Sequence, residues 1–488
     1  GGCRGNCTPM APKKRPGDVQ KKPAAKKPAA GPALPLEPVV PGRVPIFVMM
    51  PLDWLTSGLK SPGKLRDQLE RLKTAGVRGV MADVWWGLCE PEPGQYRFDG
   101  ALALIELLKE VGLKLQATMA FHKCGGNVGD AVTFPLPSWA LTPAREKKLL
   151  YCSRGGVVSE DCLSLSADSE EIFPGLDGAK RTALACYGDY VAAFVAHCGE
   201  HIGTTVVELQ VGMGPCGELR YPSYMLSNGW EFPGVGLVMA HDSGMLQMLA
   251  RDTSMSEPPA SLPENQNGKP DDCAMFRASK KAKKEPEQFS NGEGKEFLQW
   301  YSKVLLEHGE AVLNVAVAAL SDKGVKPDCL DLSVKVSGLH WNVMHPSRAT
   351  EVCAGYDCCT EPQADAYSQI AEMLARVADK TGRPLIFNFT CLEMNNWSNS
   401  MPETLSAPED LIAQVRKACI AHGVPLAGEN ALEFDLATGE WAFTQMNKQL
   451  RGWSPGRDRM HALTLLRLGE KFVSDESLRE LGKFASST

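Results

Sequence analysis

The sequence predicts an α/β protein folded as a (β/α)8 barrel of the TIM type, with long loops at the carboxyl ends of the strands. Eight short apolar runs rich in β-branched residues recur along the chain, and each is followed, after a loop, by a segment with helical spacing. Runs that are apolar throughout are typical of parallel strands buried on both faces. The expected strands are 44–50, 77–86, 114–121, 205–212, 330–337, 385–392, 424–431 and 461–468.

Helix signals separate these strands. Ser61 and Pro62 predict a cap and a first helical position, followed by an apolar stripe. A later helix is expected to open with a capping box formed by Ser406 and Glu409 and to end at Gly423. The stripe of the first helix consists of Leu65, Leu69 and Leu72.

A doubly wound open sheet is the alternative architecture. No GxGxxG or GxxxxGK[ST] motif opens a helix after the first strand, so the usual phosphate-binding reasons for an open sheet are missing. Two long connections, at about 122–204 and 213–329, follow strand ends and are expected to wall a deep pocket. Within the second, the polar stretch 254–294 predicts an exposed excursion. We therefore expect a single domain over 43–488.

Composition excludes several classes of protein. The 488 residues are 43% hydrophobic and 23% charged, which is enough for a large core, and the apolar runs stop far short of the roughly 20 residues of a membrane-spanning helix. We therefore expect a soluble protein that does not enter a membrane. The net charge is −6, and residues 1–42 alone carry +6, which leaves −12 for the rest. An acidic body argues against nucleic acid as a partner.

Residues 1–42 predict a disordered basic arm. They hold nine prolines, repeated Lys and Ala pairs and no aromatic residue. A transit or anchoring segment and a plain solvated tail remain alternatives for this arm.

The sixteen cysteines do not indicate a disulfide scaffold, because they make up only about 3% of the chain and many lie in apolar segments. A reduced compartment is the simpler interpretation. No CxxC pair stands near a second pair or a His pair, so no metal site is expected. The adjacent Cys358 and Cys359 are interpreted as a detail of a loop.

Polar residues stand at nearly every predicted strand end, where a barrel carries its active site. Charged residues in apolar strands are costly unless they are paired or functional, and ion pairs at the barrel rim are the structural alternative. The residues concerned are Asp83, His122, Glu218, Lys335, Thr390 with Glu393, Glu429, Asn430 and Arg467.

Two of these, Glu218 and Glu429, have small neighbours that let a substrate approach closely. Two carboxylates without a metal cluster, a GxSxG elbow or a Cys/His constellation are what glycoside hydrolysis requires. The glycine-rich stretch 125–130 is interpreted as a lid, with a surface turn as the alternative. Aromatic residues that could stack on sugar rings are Trp85, Trp86, Trp230 and Trp341.

Six long segments, in order along the chain, resemble the motifs of the β-amylases, and matching residues run from about 44 to 468. These segments are Asp83-Val-Trp-Trp-Gly87, Phe121-His-Lys-Cys-Gly-Gly-Asn-Val-Gly-Asp130, Gly212-Met-Gly-Pro-Cys-Gly-Glu-Leu-Arg-Tyr-Pro-Ser-Tyr224, Lys335-Val-Ser-Gly-Leu-His-Trp341, Asn388-Phe-Thr-Cys-Leu-Glu-Met394 and Gly428-Glu-Asn-Ala-Leu432.

The resemblance implies a barrel enzyme that removes maltose from the non-reducing ends of α-1,4-glucans such as starch and releases β-maltose with inversion. By position, Glu218 matches the general acid and Glu429 the general base. An inverting pair of carboxyl groups is expected to stand about 6.5–9.5 Å apart, which leaves room for the attacking water.

The same matching assigns other roles. Thr390 matches a threonine that holds the leaving part of the substrate, and the mechanism that the resemblance implies needs no cofactor. We expect a monomer in the plastid, where starch is found, with the cytoplasm as the alternative. The residues matching sugar-binding positions are Asp83, His122, Asp130, Lys335, His340, Asn430, Ala431 and Arg467.

Four stretches depart from the family pattern: 395–398, Asn342, 357–359 and Glu433 with Phe434. We expect them to lie close to the substrate path and to affect affinity. They keep open a second hypothesis, a non-catalytic glucan-binding or regulatory relative that retains the fold.

Overall fold

The structure is a computed structural model that describes residues 43–488 except 127–129, 176–177, 279–285, 398–401 and 454–457. The predicted basic arm at 1–42 lies outside the described residues, as do the centre of the predicted lid and the last residue of the altered stretch 395–398.

Eight parallel strands close into a barrel in which every strand pairs with its neighbours in the chain and β8 pairs with β1. Val48 of β1, for example, lies opposite Leu465 of β8 and Val80 of β2. The predicted barrel is confirmed. The strands are β1 Ile46–Met49, β2 Gly79–Trp85, β3 Lys114–Ala120, β4 Val206–Val211, β5 Asp331–Val336, β6 Leu385–Phe389, β7 Leu426–Glu429 and β8 Leu463–Leu465.

Each observed strand lies within its predicted range but is shorter. The reason is that the apolar runs continue into buried residues that have left the ladder: Cys391 and Leu392 follow β6 and are fully buried without strand pairing. Burial and not hydrogen bonding sets the length of an apolar run.

Helices surround the barrel, and α5, α7, α9 and α10 pack successively against one another. The helices are α1 Pro62–Thr74, α2 Trp86–Cys89, α3 Asp99–Val111, α4 Ser138–Lys147, α5 Ala183–Cys198, α6 Ser243–Asp252, α7 Gly292–Asp322, α8 Ala349–Cys353, α9 Ala366–Thr381, α10 Pro408–His422, α11 Glu440–Arg451 and α12 Asp475–Ser487.

The two helices with predicted caps differ in outcome. Helix α1 begins at Pro62 as predicted, and its leucine stripe is buried. Helix α10 ends at Gly423 as predicted, but the capping box of Ser406 and Glu409 is wrong. Ala407 precedes the helix and offers no capping side chain, and the backbone N–H of Glu409 donates instead to Asn396 Oδ1 at 3.0 Å. The Ser406 hydroxyl instead bonds His340 Nδ1 at 2.8 Å, so it is not available to the helix.

Among the described helices, α7 alone is long and apolar enough to cross a membrane by length and composition. Over half (56%) of its most apolar stretch is buried within the protein. Because its buried side chains pack against α5 and α9, α7 has the role of a core helix in a globular domain.

The two longest connections follow β3 and β4 and carry α4 and α6, respectively, with a short antiparallel ribbon, Phe173–Pro174 and Lys180–Arg181, in the first. The stretch 254–294 is not the exposed excursion that its polarity predicts. Leu262, Met275 and Phe276 are buried and anchor it, because a few apolar residues among many polar ones are enough to tie a loop to the core. Its basic run, 280–284, lies outside the described residues.

Candidate active site

The carboxyl ends of the strands surround a cavity of about 400 Å³. All eleven residues singled out from the sequence line it, although they come from seven different strands or the loops that follow them. They are Asp83, His122, Asp130, Glu218, Lys335, His340, Thr390, Glu429, Asn430, Ala431 and Arg467.

Glu429, the last residue of β7, is held through both of its carboxylate oxygens. Lys335 Nζ lies 2.8 Å from Oε2, and Asn388 Nδ2 donates to Oε1 at 2.7 Å. The register places Lys335 of β5 directly beside Asn388 of β6, so both donors reach the glutamate from one side of the barrel. A cation and an amide donor match an ionised carboxylate, which only accepts hydrogen bonds.

Glu218 is positioned by a tight turn after β4. The 3-10 turn Pro215–Gly217 contains two residues with left-handed backbone, Cys216 at φ 58° and Gly217 at φ 75°. A Cβ on Gly214 would stand 2.6 Å from the carbonyl oxygen of Glu218, so the turn closes only with glycine at 214. The turn brings the backbone of Glu218 into a parallel bridge with Lys335.

The side chain of Glu218 is paired with a buried arginine. Arg220 Nε donates to Glu218 Oε2 at 2.6 Å, and its guanidinium also stacks 4.1 Å above the Tyr224 ring and contacts Cys216 Sγ. Burial opposes the charge of Arg220, but these electron-rich neighbours hold the pKa of Arg220 well above its ordinary value. Glu218 therefore faces a fixed positive charge on one oxygen.

Acidic and basic side chains lie next to one another in the cavity and influence one another's pKa. Burial raises the pKa of Asp83 to about 6, although Lys335 and Arg467 both oppose this rise. Burial also opposes the charge of Lys335, but the carboxylates of Glu429 and Glu218 outweigh it and raise the pKa of Lys335. Lys335 is thus the shared cation between the two glutamates.

Two histidines of the cavity are kept neutral. Burial lowers the pKa of His122 to about 3, helped by the positive charges of Lys335 and Arg220, and lowers that of His340 to about 4. His122 packs edge-on against Trp85, and its buried Nδ1 has no hydrogen-bond partner among the residues that the structure describes. A buried, unpartnered nitrogen that faces a cavity is available to a ligand hydroxyl.

Thr390 lies just beyond β6 and contacts the segment after β5. Its hydroxyl oxygen accepts a hydrogen bond from the backbone N–H of Gly338 at 2.7 Å. A Cβ at position 338 would stand 2.6 Å from that oxygen, so the contact requires glycine. This contact fixes Thr390 against the wall of the cavity.

The loop after β7 is held by a carboxylate that the sequence analysis noted but did not place in the site. Glu393 accepts hydrogen bonds from the backbone N–H groups of Ala431 and Leu432 at 2.9–3.0 Å. The Asn430 side chain donates to the carbonyl of Leu432 and accepts from the N–H of Leu466. Asn430 and Glu393 therefore shape the cavity wall through its backbone.

Arg467 projects into the cavity from the end of β8. Its Nε lies 3.3 Å from Glu433 Oε1, whereas its Nη1 is buried and has no partner within the described part of the chain. Glu433 is one of the residues that depart from the family pattern, and it holds one edge of the guanidinium while another nitrogen stays available to a ligand.

Aromatic side chains line the cavity among these polar residues. Trp85, Trp230 and Trp341 reach the cavity, with Tyr224 and Phe232 beside them. Of the four tryptophans named as stacking candidates, Trp86 is a core aromatic and does not line the cavity. Trp86 is fully buried behind the site, where its indole N–H donates to Glu90. Successive residues at the end of a strand face opposite ways, so only one of two adjacent tryptophans can face the cavity.

Two of the departures from the family pattern lie outside the cavity lining. Asn342 is buried with φ 59°, and its amide donates to Thr350 Oγ1 and to the carbonyl of Pro233. Asp357 accepts bonds from the N–H groups of Cys359 and Thr360 and closes a turn. Asn342 and Asp357 therefore fix the segments around them and do not line the cavity themselves, and their effect on affinity stays a prediction.

Sequence reasoning gave no role to Arg220 or Asn388, although both directly contact a candidate catalytic carboxylate. The signal for Asn388 was a polar residue within an otherwise apolar strand, and the signal for Arg220 was its position two residues after Glu218 in the same motif. Within the described residues, no group of three or more His, Cys, Asp or Glu side chains is placed to hold a metal ion.

Comparisons with known proteins identify the family. The model of Glycosyl hydrolase family 14 matches residues 47–487. The chain is 41% identical over 459 residues to Beta-amylase 1, chloroplastic, of Arabidopsis thaliana, and this match covers 91% of this chain and 75% of that protein. It is 40% identical over 456 residues to Beta-amylase 2, chloroplastic, of Oryza sativa subsp. japonica, and this second match covers 90% of this chain and 76% of that protein.

A solved structure gives the same result. The crystal structure of the catalytic domain of β-amylase from Paenibacillus polymyxa matches with a TM-score of 0.68 and 25% identity, covering 91% of this chain and 98% of that chain. The chain therefore belongs to glycosyl hydrolase family 14, the family of the β-amylases, and is a glycoside hydrolase.

Proposed function

We propose that this protein is an active β-amylase, which hydrolyses α-1,4 linkages of starch and related glucans from their non-reducing ends and releases β-maltose with inversion. The observation that supports the proposal is that two glutamates in one cavity have different hydrogen-bonding surroundings. Glu429 is held through both oxygens by Lys335 and Asn388, whereas Glu218 is paired through one oxygen with Arg220. Such asymmetry supports one base and one acid.

In the proposed reaction, Glu218 donates a proton to the glycosidic oxygen while Glu429 removes a proton from the attacking water. Arg220 occupies Oε2 of Glu218, which leaves Oε1 for the proton that is donated. Attack by water on the face opposite the leaving group inverts the anomeric carbon. Lys335 orients Glu429 and offsets its negative charge, and it also stabilises the carboxylate that Glu218 becomes once its proton has been donated.

The proposed sugar-binding roles are based on the hydrogen-bonding groups that face the cavity. Asp83 and Arg467 supply charged groups for sugar hydroxyls, and His122 supplies an unpartnered nitrogen. His340, Asp130, Asn430, Ala431 and Lys335 complete the set, and Thr390 holds the leaving part. Aromatic rings of the cavity lining supply the apolar surface on which sugar rings stack.

We further propose a plastid location, supported by the chloroplastic names of the two relatives, with the cytoplasm as the alternative. The reaction as proposed uses no cofactor, metal, nucleic acid or membrane, and one chain supplies all of the proposed catalytic and binding residues. We therefore keep the monomer as a proposal, to be checked by light scattering.

The products released from soluble starch in the first minutes test this function. Maltose as the only small product supports exo-action in steps of two sugars. A mixture of longer oligosaccharides would contradict exo-action. Starch bound without any sugar released would instead favour the non-catalytic glucan-binding or regulatory relative.

A further inference from the structure

Exposed apolar side chains are concentrated on one face of the barrel. Among the described residues, nine large apolar side chains are at least 39% exposed, and seven of them follow the carboxyl end of a strand or lie in the first turn of a helix that begins there. The other two, Ile420 near the end of α10 and Trp453 after α11, lie toward the opposite face. Concentrated exposed apolar surface marks a binding surface.

Six of the seven belong to the connections after β4, β5, β6 and β7, and we call them the apolar rim. The apolar rim consists of Leu226, Phe232, Met344, Trp397, Leu432 and Trp441.

The apolar rim is continuous with the candidate active site. Leu226, Phe232 and Leu432 line the cavity themselves, so the same side chains face both the cavity and solvent. Trp397, which is 83% exposed, stands three residues after the cavity-lining Met394 on the same connection.

Each of the two tryptophans of the apolar rim makes one contact that anchors it. The Trp441 ring packs 6.1 Å from the ring of Phe434, two residues beyond Leu432. Trp397 donates its backbone N–H to Asn395 Oδ1 at 2.9 Å. The Trp441 ring is thus packed on Phe434 while it stays 53% exposed, and the Trp397 bond fixes the backbone from which its exposed ring projects. Both rings present an apolar face to a ligand.

We propose that the apolar rim binds the part of an α-glucan polymer that remains outside the cavity. The proposal rests on the proposed function and extends it to the polymer. A cavity of about 400 Å³ holds only the first few sugars, so the rest of the chain must pass over the surface beside it. The side chains of the rim are all uncharged, which fits a neutral polymer whose sugar rings present apolar C–H faces.

The test compares a polymer with a short substrate. In the double variant Trp397→Ala and Trp441→Ala, KM for amylopectin should rise at least about fivefold, whereas KM for maltopentaose should stay within about twofold of wild type. Trp453→Ala is the matched control, because Trp453 is also exposed, at 58%, but lies toward the other face. The control should change neither KM. An unchanged KM for amylopectin in the double variant would overturn the proposal.

Retardation in gels that contain amylopectin separates this proposal from the proposed function. The rim substitutions should abolish the retardation of a Glu218→Gln variant, whatever its turnover. If wild type releases no maltose but the rim substitutions still abolish retardation, the proposed function fails and the rim proposal stands. If wild type releases maltose and retardation survives, the rim proposal fails, and the rim then belongs to another macromolecule such as a protein.

Discussion

Lys335 joins the two candidate catalytic residues: its ammonium lies 2.8 Å from Glu429 Oε2, and its backbone pairs with that of Glu218. Its carbonyl also accepts the N–H of Leu219 at 2.9 Å. Any movement of β5 therefore moves the acid and the base together. We expect this coupling to make the barrel, and not the flanking loops, the element that fixes the geometry of the pair.

Replacing this lysine should affect catalysis strongly. Lys335→Met keeps the length of the side chain but leaves Glu429 without its cation, so kcat should fall about 100-fold or more. Because the change leaves a buried carboxylate without its charged partner, stability should fall as well, by about 3–5 kcal/mol. Steady-state kinetics and urea unfolding measure the two effects. A kcat within tenfold of wild type, in protein that circular dichroism shows to be folded, would contradict the role of Lys335.

The glutamates themselves should be indispensable. Glu218→Gln and Glu429→Gln should each lower kcat by more than about 1000-fold. Each also leaves a buried cation, Arg220 or Lys335, without its hydrogen-bonded carboxylate, so stability should fall as it does for Lys335→Met, and circular dichroism checks that the variants are folded. Glu208→Gln offers a matched control inside the barrel. Glu208 is also buried, but it bonds Gln116 and Ser333 inside the barrel and does not line the cavity, so activity should persist. Turnover within tenfold of wild type in either catalytic variant would overturn the assignment of acid and base.

Thr390 should matter more for turnover than for binding. Its hydroxyl contacts Gly338 N–H and faces the cavity, where the leaving sugar is expected. Thr390→Val removes the hydroxyl at nearly constant volume and should lower kcat about tenfold or more while KM changes less. Thr390→Ser should restore most of the activity. A variant in which only KM changed would show that the threonine binds substrate without assisting departure.

His308 on α7 is expected to make stability depend on pH. Its Nδ1 meets Asp168 Oδ2 at 2.6 Å and its Nε2 meets the carbonyl of Met213 at 2.9 Å, and only an imidazolium donates to both. Burial opposes this charge, but Asp168 outweighs burial and raises the pKa of His308 above 6.5. The stabilisation is therefore complete below about pH 6.5 and is lost as pH rises through the higher pKa of the folded state.

Melting temperatures measured between pH 6 and pH 9 check this. Wild type should lose stability across that range relative to His308→Gln, because the glutamine does not titrate. Asp168→Asn should likewise make the melting temperature depend less on pH than it does in wild type. Curves for wild type and His308→Gln that run parallel over the whole range would show that His308 is not a charged link to the Met213 segment.

The sequence allowed the barrel to be predicted because its signals are local. Apolar runs and glycine helix ends such as Gly423 depend on neighbouring residues, and they found every barrel strand. The cap at Ser406 failed because the competing partner, His340, lies 66 residues away in the chain. The link between His308 and Asp168 spans 140 residues and had no local signal.

The site shows the same division. Residues such as Glu429 and Lys335 were found because charge inside an apolar strand is conspicuous, and motifs placed the others. Asn342 was expected to lie close to the substrate path, and its left-handed φ of 59° and its bonds to Pro233 and to Thr350 of α8 give it a structural role as well. Backbone geometry of this kind is set by the tertiary fold, which no single position reveals.

The anomeric configuration of the first product tests the central claim most directly. Proton NMR of maltopentaose digests, recorded before mutarotation, distinguishes α- from β-maltose. We predict that β-maltose appears first and that the α-anomer grows only as mutarotation proceeds. α-Maltose as the initial product would mean retention, and it would contradict the assignment of Glu218 as acid and Glu429 as base on either side of an attacking water.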